Sequence, residues 1–230
     1  MKQRTFDAVD RYFEKTLLGT DAPLSRTLAE SRKAGLPAIS VSPLQGRMLT
    51  LLARARGAKR ILEIGTLGGY STICLARALG RAGRVTTLEI NPECARVARA
   101  NIERAGLGAR VDIRLAPALE SLRAMHKKGA RFDFVFIDAD KEAYPEYLEW
   151  SIRLAAPGCV VVADNVVRDG EVARHSTRDA RARGVREMLL IAATDPRVEA
   201  TAIQTAGVKG YDGFALMIVN PRRSSSRRAS

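Results

Sequence analysis

The stretch ILEIGTLGGYST, residues 61–72, runs from an apolar, β-branched segment through Gly65, Gly68 and Gly69 into a helical pattern. Glycines at a strand-to-helix turn allow a tight reversal and a close approach of backbone to ligand, and this is where open α/β sheets hold nucleotide-like molecules. Working outward, RILEIG (60–65), RVTTLE (84–89), VDIRLA (111–116), FDFVFID (132–138) and CVVVADN (159–165) read as five consecutive strands, mostly apolar as strands covered on both faces should be. Helical spacing follows the first, second and fourth of them, in STICLARALG, NPECARVARANIERAG and YPEYLEWSIRLAAPG, each closed by Gly or Pro-Gly. That alternation predicts an α/β fold with a mostly parallel sheet. A polar stretch at 166–183, a helical pattern GVREMLLIAATDP and two further strand candidates, VEATAIQ and GFALMIVN, complete it with an antiparallel C-terminal hairpin.

The glycine turn is not G-x-G-x-x-G, so the phosphate-binding fingerprint of a nicotinamide-dependent oxidoreductase is missing and a cofactor without a pyrophosphate fits better. Glu89 ends the second strand 24 residues after Gly65, near the offset at which an acidic side chain takes ribose hydroxyls in this architecture. Asp138, Asp140 and Lys141 end the fourth strand, and Asp164 with Asn165 ends the fifth. Parallel neighbours bring these groups to one carboxyl edge of the sheet, and two carboxylates with an amide oxygen form a hard oxygen set suited to Mg²⁺, Mn²⁺ or Ca²⁺. Ser71 reads equally as a helix cap, and Tyr144, Tyr147 and Trp150, at helical spacing, read as core packing, with Tyr144 facing the mouth of the site as the alternative. His126 and His175 have no partner motif and read as surface residues.

A net charge of +13 raises nucleic-acid binding as an alternative, but the 38 Lys and Arg are spread along the chain with few aromatics between them, so a solvated basic surface is the preferred reading. Cys74, Cys94 and Cys159 are too far apart for a CxxC site and read as core thiols. No run approaches the roughly 18 apolar residues of a membrane span, and the charged N-terminus does not resemble a signal peptide, so the expected location is the cytoplasm. Residues 1–220 are expected to form one domain, with 1–55 a helical cap or dimerisation region and 56–220 the catalytic core. Residues 221–230 read as a disordered basic tail.

The motifs ISVSPLQGRML (39–49), LEIGTLGGYST (62–72), LEINPE (88–93), LAPALESL (115–122), FIDADKEAYPEYLE (136–149), GCVVVADNVVRDGEV (158–172) and YDGFALMIV (211–219) resemble the cation-dependent class I O-methyltransferases, which include catechol and caffeoyl-coenzyme A O-methyltransferases. The resemblance implies a Rossmann-like fold with a seven-stranded, mostly parallel sheet, an antiparallel C-terminal strand and helices on both faces. It places Val41, Glu63, Gly65, Thr66, Ser71, Glu89, Ala118 and Asp138 around S-adenosylmethionine, and Asp138, Asp164 and Asn165 on the metal. It makes Lys141 the candidate general base, puts Asp212 beside the substrate and implies a homodimer. The implied reaction is methyl transfer to a hydroxyl of a small vicinal diphenol. Substrate choice is expected to reside in the first 40 residues and the 166–183 loop, whose Arg168, Arg174, Arg178, Arg181 and Arg183 either favour an acidic substrate or form an exposed basic loop.

Overall fold

The computed structural model describes residues 2–220; the stretch 221–230, read from sequence as a disordered tail, lies outside the described residues. Three helices open the chain: α1 (Lys2–Phe13), continued by a π-helical turn at Glu14–Leu18, α2 (Ala22–Lys33) and α3 (Pro43–Ala55). Asp21 caps α2, accepting from the Leu24 amide, and Ser42 and Gln45 form a reciprocal capping box on α3 with Pro43 in its first turn. Gly35 and Pro37 lie in the connection between α2 and α3, and Pro43 opens α3.

The sheet follows as β1 (Arg60–Ile64), β2 (Arg84–Glu89), β3 (Val111–Leu115), β4 (Phe132–Ile137), β5 (Ala155–Asp164), β6 (Val198–Gly207) and β7 (Gly210–Val219). The crossover helices are α4 (Tyr70–Ala78), α5 (Pro92–Arg104), α6 (Ala118–Lys127), α7 (Tyr144–Leu154) and α8 (Ala180–Thr194). Strand order is β3-β2-β1-β4-β5-β7-β6. The first five strands pair in parallel, and β7 lies antiparallel between β5 and β6. The antiparallel strand is thus internal, and the edge itself is β6, most of whose residues are exposed.

Alternation along the strands sends side chains to two cores. Leu62, Ile64, Val135 and Ile137 pack with Leu122, Leu148, Val185 and Met188 of α6, α7 and α8. Ile61, Phe134 and Phe136 pack on the opposite face with Leu49, Ile73, Ala98 and Ile102 of α3, α4 and α5. Cys74, Cys94 and Cys159 are buried free thiols, as expected. Among the described residues no helix is long and apolar enough to cross a membrane.

Three sequence expectations need correction. Helix α6 was not foreseen; it is short and opens on Pro117 without a side-chain cap, though Ser121, Leu122 and Met125 give it a buried stripe. Pro157-Gly158 does not stop α7, which ends at Leu154, but lies in an irregular start of β5. There Gly158 has φ +68° and the Arg56 guanidinium donates to the carbonyls of Pro157 and Gly158, at 2.7 and 2.6 Å. Ser71 is not a cap either: Gly69, at φ +83°, occupies that position and Ser71 lies inside α4.

Candidate active site

Strand order reverses direction between β1 and β4, and at such a switch point the loops leaving the carboxyl ends of neighbouring strands part to form a crevice. A cleft of about 490 Å³ lies there. Val41, Gly65, Thr66, Ser71, Glu89, Asp138, Lys141 and Asn165, all singled out from sequence, line it together. Gly65 has φ +100°, and a Cβ on it would stand 2.1 Å from the Asp138 carbonyl oxygen, so only glycine lets the end of β1 lie against the start of the Asp138 turn.

Glu89 does more than sequence suggested. Its Oε2 accepts from the amides of Thr66 (3.3 Å) and Leu67 (2.9 Å), and its Oε1 from those of Ile90 and Asn91, both at 2.9 Å. Four amides match the roughly four acceptor positions of a carboxylate. Glu89 therefore ties the glycine turn to the end of β2, and the long Thr66 contact is the one a ligand hydroxyl can displace at least cost.

Glu63 does not line the cleft but lies beneath it, fully buried, with Oε2 accepting from Thr72 Oγ1 and from Thr87 Oγ1 at 2.6 Å. Its Oε1 has no hydrogen-bond partner among the described residues, and burial pushes its carboxyl up to about 7. Ser71, which lines the cleft, bears on the same carboxyl, so Glu63 acts on the cleft through that hydroxyl rather than by its own contact. Ala118 is half-buried at the start of α6, packed against the α6–α8 core, and is not part of the cleft wall.

The acidic groups meet as the sheet register requires: Ile137 pairs with Ala163, so Asp138 and Asp164 leave adjacent strand ends side by side. Asp164 is buried, and its carboxyl is pushed up to about 7, first by burial and then by the charge of Asp138. Asn165, at φ +56°, turns the chain, and its amide donates to Asp164 Oδ1 at 2.9 Å. Facing carboxylates with a neighbouring amide oxygen form a donor set that a hard dication would relieve. Among the described residues no group of three His, Cys, Asp or Glu forms a metal cluster, so a cation there would take Asn165 as its third protein ligand and complete its shell with water or substrate.

Lys141 is buried, with Nζ 2.7 Å from Asp138 Oδ1 and 5.0 Å from the centre of the Tyr144 ring. The turn that carries it is pressed by α8, where a Cβ on Gly184 would fall 2.3 Å from the Lys141 carbonyl oxygen. Tyr144 is fully buried under the site and donates to the carbonyls of Ile137 (3.1 Å) and Asp164 (2.9 Å), locking the two strand ends together. It is core packing that fixes the site, not a face of it. Asp140 caps the Lys141 turn through the Glu142 amide at 3.3 Å.

Asp164 and Asp212 line a second cavity of about 350 Å³ that shares Ile39, Val41 and Asn165 with the first. Asp212 Oδ1 accepts from the amides of Val167, Arg168 and Gly213, each at 3.0 Å, so this carboxylate fixes the loop after β5. Sequence reading missed that role; of the five loop arginines it offered either as contacts for an acidic substrate or as an exposed basic loop, Arg168 and Arg181 line the first cleft. His126 and His175 are exposed, the former edge-on to Trp150.

Sheet order, glycine turn and acidic strand ends define a class I methyltransferase fold. The profile of the O-methyltransferase family matches residues 20–217, and the chain belongs to that family. It is 51% identical over 211 residues to a catechol O-methyltransferase of Mycobacterium tuberculosis, covering 92% of this chain and 94% of that one. A catechol O-methyltransferase of Niastella koreensis is 47% identical over 220 residues, covering 95% of this chain and 100% of its own. Among solved structures, an O-methyltransferase of Bacillus cereus in complex with S-adenosylhomocysteine superimposes with a TM-score of 0.93 at 50% identity, covering 94% of this chain and 99% of that one.

Proposed function

We propose that this S-adenosylmethionine-dependent O-methyltransferase methylates one hydroxyl of a catechol-like substrate and requires a divalent cation, Mg²⁺ first and Mn²⁺ or Ca²⁺ as substitutes, held by Asp138, Asp164 and Asn165. The observation that carries this reading is the placement of Asp138, Asn165 and Lys141 in the wall of the cleft that contains Gly65 and Glu89, with Asp164 beside them at the neighbouring strand end, in the cavity that shares Asn165. Relatives named catechol O-methyltransferase and a neighbour solved with S-adenosylhomocysteine support the choice of substrate and cofactor.

Bound in that set, a dication supplies Lewis acidity that lowers the pKa of a coordinated hydroxyl. The chain's own residues do the rest. Glu89 and the glycine turn hold the cofactor, with Glu63 below them. The acceptor oxygen gains the methyl carbon while the bond from that carbon to sulfur breaks, and the hydroxyl proton passes to Lys141 Nζ, which takes it only in its neutral amine form and becomes the ammonium paired with Asp138. Asp138 holds that amine in place, 2.7 Å away. Fixing both reactants in one cleft removes much of the entropic part of the barrier. Incubation with catechol, S-adenosylmethionine and Mg²⁺ should yield the monomethyl ether by mass spectrometry, and absence of that product would refute the substrate class.

Glu89→Ala is expected to weaken S-adenosylmethionine binding by about 1–3 kcal/mol, the range for losing hydrogen bonds to a charged acceptor. Because four amides lose their acceptor, the melting temperature should fall as well. Calorimetry showing wild-type affinity in the folded variant would remove Glu89 from the cofactor site.

Homodimerisation belongs to the same reading. Val9, Tyr12, Phe13 and Leu17 expose large apolar side chains along the first helix and its continuation, and a second copy is their proposed cover. Light scattering should give twice the 25.0 kDa chain mass at micromolar concentration; a monomer would overturn this.

A further inference from the structure

The loop after β5 places an arginine where a solvated surface residue was one of two expectations. Arg168 and Arg181 both line the cleft that holds Lys141 and Asn165. Arg168 has φ +54°, in the left-handed region that a residue with a side chain adopts only when its surroundings impose it. Asp212 imposes it, through the amides of Val167 and Arg168. The Arg168 side chain is 19% exposed, and its Nε is buried with no hydrogen-bond partner among the described residues. Its nearest carboxylate oxygen, Asp179 Oδ2, stands 3.5 Å from Nη2, beyond a good charge-assisted bond. Asp179 is engaged elsewhere: its Oδ1 accepts from Arg181 Nε at 3.2 Å and from the Arg181 amide at 2.9 Å. Two guanidinium groups in the cleft wall thus share one carboxylate, and the more buried of them keeps an unused donor.

Leaving a buried charged donor unpaired is costly unless something in the working protein satisfies it. A guanidinium presents its donors in a planar fork that matches a carboxylate. Resting on the methyl-transfer reading above, we infer that Arg168, assisted by Arg181, holds a carboxylate substituent of the acceptor, so that the preferred substrate is a catechol bearing a carboxylate rather than a neutral catechol. Asp212 is then a positioning residue that acts through the Arg168 backbone.

The test compares kcat/KM for 3,4-dihydroxybenzoate and for its neutral methyl ester, in wild type, Arg168→Met, Arg168→Lys and Arg181→Met. Wild type should favour the acid by about 10- to 100-fold, the worth of one or two charge-assisted hydrogen bonds. That ratio should fall toward one in Arg168→Met, be partly kept in Arg168→Lys and fall by a smaller factor in Arg181→Met. A wild-type ratio of one or less overturns the inference whether or not any variant folds, and so does an undiminished ratio in a folded Arg168→Met. Turnover of the ester with no preference for the acid would sink this inference alone. No turnover of either compound would sink the methyl-transfer reading and this inference with it.

Discussion

Lys141→Met should lower kcat by about 10²- to 10⁴-fold and change KM much less, the range for losing a positioned general base. Lys141 is buried at the cleft wall, three residues after Asp138, and its Nζ lies against Asp138 Oδ1. That ion pair supports a second role, neutralising one of two facing carboxylates, and the two roles differ in their pH dependence. If Lys141 is the base, the variant loses most rate at neutral pH and recovers as pH rises toward the pKa of the substrate hydroxyl, where solvent can take the proton. If it only neutralises Asp138, cofactor and metal affinity should shift while the form of the kcat–pH curve is unchanged. Wild-type kcat at neutral pH in a folded variant would exclude Lys141 as the base.

The second large effect is expected at Asp164. Asp164→Ala should abolish turnover at ordinary Mg²⁺ concentrations and leave S-adenosylmethionine binding largely intact, since Asp164 lies outside the cleft that contains the glycine turn. Loss of a direct ligand should exceed the roughly 10–100-fold typical of losing an outer-shell partner. The fold should tolerate the change. Tyr144 holds this strand end through the Asp164 carbonyl rather than its carboxylate, and the substitution removes a buried acid whose charge faces Asp138. Full activity of Asp164→Ala at low Mg²⁺, measured on protein of unaltered melting temperature, would take this residue out of the metal site.

Much of the site was legible because its residues stand at strand ends, where position in sequence fixes position in space. Gly65, Glu89, Asp138 and Asn165 each close a β-branched run, and parallel pairing does the rest. What escaped the sequence depends on partners far along the chain. Pro157-Gly158 reads as a helix stop until Arg56, about 100 residues earlier, is seen binding both carbonyls. Arg168 reads as one of several loop arginines, and only the three amides gathered by Asp212 turn it into the cleft wall. Glu89 reads as a ribose ligand, but the same carboxylate also braces the glycine turn, a local contact that the spacing alone does not reveal. Helix α6 escaped because it has no side-chain cap and only ten residues in which to show a period.

Cation-dependent methyl transfer is tested most directly by following transfer of labelled methyl from S-adenosylmethionine to catechol in protein stripped with EDTA, then titrated with Mg²⁺. The account predicts no measurable transfer in EDTA, a saturable return of activity with added Mg²⁺, and unchanged S-adenosylmethionine binding throughout. Full activity in EDTA would contradict it.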